Sequence, residues 1–297
     1  MSRTRFPADR GLIARMGLTM FLLGLLFVVL GALVVYRFGS VGLIFVVGFL
    51  VVQWFFSDKL ALYGMGGRVV TPEQAPELHG IVDRLCAIAD MPKPAVAIAD
   101  SDVPNAFATG RSPKKAVICA TTGIMRRLDE RELEGVLAHE LSHVAHRDVT
   151  VMTIASFVGV LAGFLTRMVL WSGMSRRRDN NGPPVVLIVL VVSVLVYAVS
   201  FLLTRALSRY RELAADRAGA YITGMPSALA SALVKISGEM SRIPTRDLRQ
   251  AEPFNAFFFA PISSKGLSLS SFFATHPPLE KRLDQLGRIA GELNRPA

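Results

Sequence analysis

Five consecutive residues, His139-Glu140-Leu141-Ser142-His143, have the types and the spacing of a hydrolytic metal site. On a helix, positions i and i+4 stand one above the other on the same face. The two imidazoles can therefore point at one ion. Glu140 lies about 100° further round the helix, where it can meet a water on the metal rather than the metal itself. Two histidine ligands and a carboxylate base on one turn is the layout of a zinc peptidase. The competing reading is a surface helix with two unrelated histidines, and the helical context of the motif argues against it.

A catalytic zinc takes three protein ligands and keeps a position for water. Three residues compete for the third place. His146 is at i+7 from His139, but about 10 Å along the helix axis, and Val144-Ala145 offers no turn to bring it back. His276 is far downstream and remains open. Glu212 is best placed, because Asp216 follows at i+4 on the same face. Glu212 can bind the ion while Asp216 accepts a hydrogen bond from a ligand histidine and fixes its tautomer. The plainer alternative is a solvated face, with both acids paired to Arg209 and Arg217.

The elements that must position these residues are legible in outline. Asp129 is a helix N-cap, with Glu130 and Glu132 in the first turn of the helix that carries His139 and His143. Ala75–Asp90 has apolar residues at helical spacing and is stopped by Pro92 and Pro94. Ala95–Ala99 and Ala116–Ala120 are predicted strands, and Asn105–Gly110 is an extended segment ending at a turn glycine. Arg205–Ile222 and Ser227–Met240 are predicted helices, divided by Gly224 and Pro226. Thr245–Lys265 is irregular. Thr275 caps a last predicted helix, Pro277–Leu293.

The chain has 297 residues, of which 52% are hydrophobic, more than a soluble domain usually carries. Met16–Tyr36 is long enough to cross a bilayer, and Val41–Phe56 follows after Arg37-Phe38-Gly39-Ser40, so the two form a predicted transmembrane hairpin. Val185–Leu203 is a further apolar run. Val149–Trp171 is weaker, diluted by Thr150, Thr153, Ser156, Thr166 and Arg167. These last two runs begin just after His143 and end just before Glu212. A second hairpin there brings the two metal helices together at the bilayer surface.

The net charge is +10. In a soluble protein that would point to nucleic acid. Here the basic residues flank apolar spans and suit anionic headgroups, so no nucleic-acid partner is expected. Arg3, Arg5, Arg10 and Arg15 before the first span predict a cytoplasmic N-terminus; Arg176-Arg177-Arg178 pulls against the second hairpin. Cys86 and Cys119, the two cysteines, read as small buried residues in a reducing cytosol.

The chain resembles the HtpX-type membrane zinc metalloproteases, whose superfamily also holds the CAAX prenyl endopeptidases. The likeness runs from the first span nearly to the C-terminus. It rests on Asn105-Ala106-Phe107-Ala108, on His139–His143, on Arg211-Glu212 with Ala215-Asp216, and on Thr275-His276-Pro277-Pro278 with Arg282. It implies His139, His143 and Glu212 as zinc ligands, Glu140 as base and Asp216 behind a ligand. It further implies that His276 and Arg282 assist the oxyanion, and that Asn105–Ala108 is an edge strand pairing with the substrate backbone. That edge is expected to lie open to solvent when empty, and Phe107→Pro is expected to block pairing.

The expected fold is a mainly α membrane protein, with transmembrane helices and a zincin-like cytoplasmic catalytic domain holding a small β-sheet. It divides into a hairpin (1–56), a first catalytic part (57–148), a second hydrophobic hairpin (149–203) and a second catalytic part with the third ligand (204–297). The expected function is zinc-dependent endopeptidase, with one Zn²⁺ per chain, acting on damaged or misfolded membrane proteins. The enzyme is placed in the cell membrane, in contact with the lipid bilayer. Two alternatives stand beside it. A prenyl-protein processing protease would need a large intramembrane chamber, for which about four spans look too few. A non-catalytic scaffold would not need His139, Glu140, His143 and Glu212 all intact.

Overall fold

The longest apolar stretches form the longest helices. A computed structural model describes residues 10–110, 112–175, 183–240, 259 and 276–294. Helix α1 spans Arg10–Gly64 and is broken at Gly39, with φ 62° and ψ −152°, a conformation open to glycine. The chain reverses there. Phe27, before the glycine, and Phe49, after it, both pack on Phe157, with ring centroids 6.0 and 5.9 Å away. A straight helix would hold Phe27 and Phe49 about 33 Å apart.

Phe157 belongs to α5 (Asp148–Ser175), which pairs with α6 (Pro183–Thr223). Leu30, Val34 and Val46 of α1 join Phe157, Leu161 and Leu165 of α5 and Val196 of α6 in one apolar cluster. Arg10–Tyr36, Thr150–Arg167 and Leu190–Thr223 are long and apolar enough to cross a membrane, and Gly39–Val52 is a shorter apolar helix. Outward-facing Phe21, Val28, Ile44, Val51 and Leu195 are exposed, a surface that lipid rather than water would cover.

The expected helix 205–222 is not separate. Nothing near Leu203 breaks a helix, so α6 continues unbroken out of the apolar run to Thr223. The last helix begins at Leu279 rather than Pro277, because Pro278 disfavours helical backbone at the residue before it. Its expected cap, Thr275, lies outside the described residues, as does the stretch 245–265 apart from Phe259.

The small sheet has the order β1-β2-β4-β3. β1 (Gly67–Val69) is antiparallel to β2 (Ala95–Ala99), and β2 is parallel to β4 (Val117–Thr121). β3 (Ala106–Thr109) is antiparallel to β4, with Phe107 opposite Cys119, and so forms an edge. Helix α2 (Pro76–Ala89) covers the sheet, and the short α3 (Thr122–Arg127) follows β4.

Helix α4 (Glu130–Ala145) opens on a full capping box: Asp129 accepts from the Glu132 N–H at 2.9 Å, and Glu132 accepts from the Asp129 N–H at 3.0 Å. Its buried residues, with those of α7 (Pro226–Met240) and α8 (Leu279–Leu293), form the main core. Gly219 decides how closely α6 lies on α4. A Cβ there would sit 3.0 Å from the His139 backbone nitrogen. Its absence lets α6 lie against His139 with Glu212 and Asp216 aboard.

Candidate metal centre

One turn of α4 presents His139, Glu140 and His143, whose ligand atoms all lie within 4.8 Å of one another. The two Nε2 atoms are 3.2 Å apart. From α6, Glu212 brings one oxygen to 3.4 Å from His143 Nε2 and the other to 3.8 Å from His139 Nε2. A tetrahedral zinc with ligands at about 2.0–2.1 Å sets its donor atoms roughly 3.4 Å apart. The two imidazoles and Glu212 therefore fit such an ion. Glu140 is engaged elsewhere, since its Oε2 accepts the Ala108 N–H at 3.1 Å.

Each histidine is held from behind by a carboxylate and an arginine. His139 Nδ1 lies 2.9 Å from Asp216, whose two oxygens accept from Arg282 of α8 at 2.7 and 2.6 Å. His143 Nδ1 lies 2.7 Å from Asp148, which pairs with Arg211. With Nδ1 protonated towards its carboxylate, each ring keeps a lone pair on Nε2. Both lone pairs then face the same point, an arrangement that a shared cation relieves.

Two further groups complete the centre. Burial pushes the Glu140 carboxyl up to about 7, in the range where a group can both take and give protons. His276 places Nδ1 3.0 Å from Glu212 Oε2. Its Nε2 is buried without a hydrogen-bond partner among the described residues. A cavity of about 510 Å³ opens beside these groups, lined by Glu140, His143, Glu212 and His276 among others.

The structure thus gathers His139, Glu140, His143, Glu212, Asp216 and His276 around one point. Other residues sit differently from expectation. Arg282, expected at the oxyanion, is almost wholly buried and turned onto Asp216; it also donates to the Phe259 carbonyl at 3.0 Å. Its Nη1 also stands 3.7 Å from Glu212 Oε2, so the guanidinium touches the centre as well as the support of His139. His146 closes the end of α4, with its Nδ1 2.8 Å from the Ser142 carbonyl.

The edge strand also corrects an expectation. Asn105 through Ala108 are buried, not open to solvent, because α4 packs on them and Phe259 covers Asn105. The Asn105 side-chain oxygen accepts the Phe259 N–H at 2.9 Å. Asn105 turns its backbone N–H and C=O towards Thr121 of β4. Strand alternation then sends those of Phe107 to β4 and those of Ala106 and Ala108 outward, as the Ala108 contact with Glu140 bears out. Phe107→Pro would accordingly break the sheet ladder; Ala108 carries the outward donor.

Asp148 and Phe259 were not among the expected residues. Asp148 had a faint signal, an acid at the head of an apolar run one turn beyond His143. Phe259 had none: its ring meets His139 edge-on at 5.1 Å across a long sequence separation.

Residues 72–290 match the family model of Peptidase family M48. The chain belongs to peptidase family M48. Its M48 relatives include Protease HtpX homolog 1 of Streptomyces coelicolor, 58% identical over 98% of this chain and 97% of that protein. Protease HtpX homolog of Moorella thermoacetica is 52% identical over 98% of each. In fold, this M48 chain is similar to the crystal structure of S. mikatae Ste24p, with a TM-score of 0.53 at 19% identity. The match covers 89% of this chain and 62% of that one. With its apolar helices, this M48 member is a membrane-bound metalloprotease, which sets aside the scaffold reading.

Proposed function

We propose that this M48 protease is a zinc endopeptidase of membrane proteins, with one Zn²⁺ per chain held by His139, His143 and Glu212. The observation that carries this is the convergence of two Nε2 atoms 3.2 Å apart with the Glu212 carboxylate, whose oxygens lie 3.4 Å from His143 and 3.8 Å from His139, with Glu140 beside it. A zinc ion there would supply Lewis acidity to the attacking water and to the scissile carbonyl. Glu140 takes the water's proton and passes it to the leaving amine. The Ala108 N–H fixes the orientation of that carboxylate. Asp216 and Asp148 hold the two imidazoles in one tautomer, and Arg282 positions Asp216. His276 gives its Nδ1–H to Glu212, and in its doubly protonated form offers an Nε2–H to the oxyanion.

Ala106 and Ala108 turn their backbone groups away from β4 on an edge strand, which supports pairing with an extended substrate once the cover over Ala106 and the Glu140 contact of the Ala108 N–H are displaced. Binding through the backbone demands little of the substrate's side chains, as quality control of damaged proteins requires. Stripping the detergent-purified protein with a chelator should bring cleavage of an unfolded membrane protein to background, about 100-fold or more. One equivalent of zinc should restore it. Full activity in protein shown to be metal-free would overturn the proposal.

The same reading places the protein in the cell membrane with its metal centre in the cytoplasm. The arginine-rich N-terminus supports this. A reporter fused after Ala297 should behave as cytoplasmic, and a signal from the opposite side would reverse the orientation.

A further inference from the structure

The cavity at the metal centre continues between α5 and α6. Thr153 and Ser156 border it on α5, and Ser200, Thr204 and Ser208 on α6. These positions lie in the stretches Thr150–Arg167 and Leu190–Thr223, which are apolar enough to cross a membrane. Spacings of three and four make each set one stripe on its helix. Other faces of the same helices are apolar and exposed, as at Ile154, Phe164, Leu195 and Leu202. Hydroxyls are thus gathered where the two helices line the cavity.

Packing of the helices accounts for part of this, since Thr204 reaches the Ala155 carbonyl at 3.4 Å. Ser156 and Ser200 donate to carbonyls of their own helices, at 3.1 and 3.0 Å. A hydroxyl that donates still has lone pairs to accept with. The furrow therefore offers hydroxyl lone pairs on Thr153, Ser156, Thr204 and Ser208 among apolar neighbours such as Met152, Val160 and Phe201, in the same cavity as Glu140 and His143.

We propose that this furrow receives the end of a substrate's transmembrane segment, unwound into extended chain, and leads it to the metal centre. The proposal rests on the peptidase reading above and names the substrate form that the site takes. An extended backbone at membrane depth must find partners for its N–H and C=O groups, because lipid offers none. A prenyl or acyl chain has no such need, and an all-apolar wall would serve it as well. The hydroxyl lone pairs can take the N–H groups of an unwound peptide, and Arg205, which also lines the cavity, carries donors for its C=O groups.

The test uses one scissile sequence in three settings: a short soluble peptide, the border of a transmembrane segment in liposomes, and a prenylated soluble peptide. The variant Thr153→Val/Ser156→Ala/Ser200→Ala/Thr204→Val keeps the furrow's shape and removes four of the five serine and threonine hydroxyls, leaving Ser208, the one closest in sequence to Glu212. Its kcat/KM on the transmembrane substrate, relative to the soluble peptide on the same preparation, should fall about 10-fold, as for the loss of one or two hydrogen bonds. An unchanged ratio, or a loss confined to the prenylated peptide, overturns the proposal. Failure of the parent protein to cleave even the soluble peptide would instead overturn the peptidase reading. A binding measurement stands independent of turnover and of how the multiple variant folds. In Glu140→Ala protein, a photo-reactive phenylalanine analogue at position 156 should crosslink to the substrate's transmembrane segment. Absence of that adduct, with the substrate bound, also overturns the proposal.

Discussion

Glu140→Ala protein should keep its zinc and lose peptide cleavage by about 10²- to 10⁴-fold, the usual worth of a general base. The expectation follows from where the carboxylate sits. Glu140 shares a helical turn with His139 and His143, yet its Oε2 is turned to the Ala108 N–H, while the Glu212 carboxylate supplies the third donor. Removing Glu140 leaves all three donor atoms in place and takes away the group that accepts the water's proton. Burial raises its carboxyl to about 7 in the metal-free protein, which favours taking up a proton. Metal analysis and a casein digest on the same preparation would decide. Cleavage near the parental rate would remove Glu140 from the mechanism.

The second large effect is expected on metal affinity. Glu212→Ala should weaken zinc binding by more than about 100-fold, beyond what loss of a supporting residue costs. His146→Ala should leave affinity unchanged, since its ring lies against the Ser142 carbonyl at the end of α4. Asp148→Ala should fall between, at about 10- to 100-fold, because it removes the partner of His143 Nδ1 and leaves Arg211 without its carboxylate. Competition against a chromogenic chelator measures all three. A loss with His146→Ala and none with Glu212→Ala would give a different ligand set.

What could be read from the residues alone follows the range of the interactions involved. The α4 turn is local: the i and i+4 spacing of the histidines and the Asp129/Glu132 capping box declare themselves within a few residues. The mainly α character was equally plain, because apolar length is a property of a window. The partner of His143 was hard to see, since Asp148 begins another helix and has meaning only once α4 and α5 meet at a corner. Arg282 illustrates the opposite difficulty. Proximity to the centre was implied by resemblance, but an arginine near an oxyanion and one clasping a carboxylate behind a ligand have the same sequence. Its burial and its two bonds to Asp216 show the clasp, which no residue pattern declared. The edge strand was foreseen as a strand, but its cover was not: Phe259 comes from a stretch with no periodicity, and α4 closes over Ala108 from its other side.

The hairpin of α5 and α6 stands between the two parts of the donor set, and this orders the protein's biosynthesis. In a growing chain His139 and His143 emerge first, the hairpin next and Glu212 last. Any nascent or clipped fragment that ends before the hairpin holds two imidazoles and no third donor. Any continuous fragment that holds all three also holds the membrane-crossing stretch between them. On this ligand set, the cell never makes a soluble piece of this protease with a complete metal site, and competence to cut waits upon the anchor.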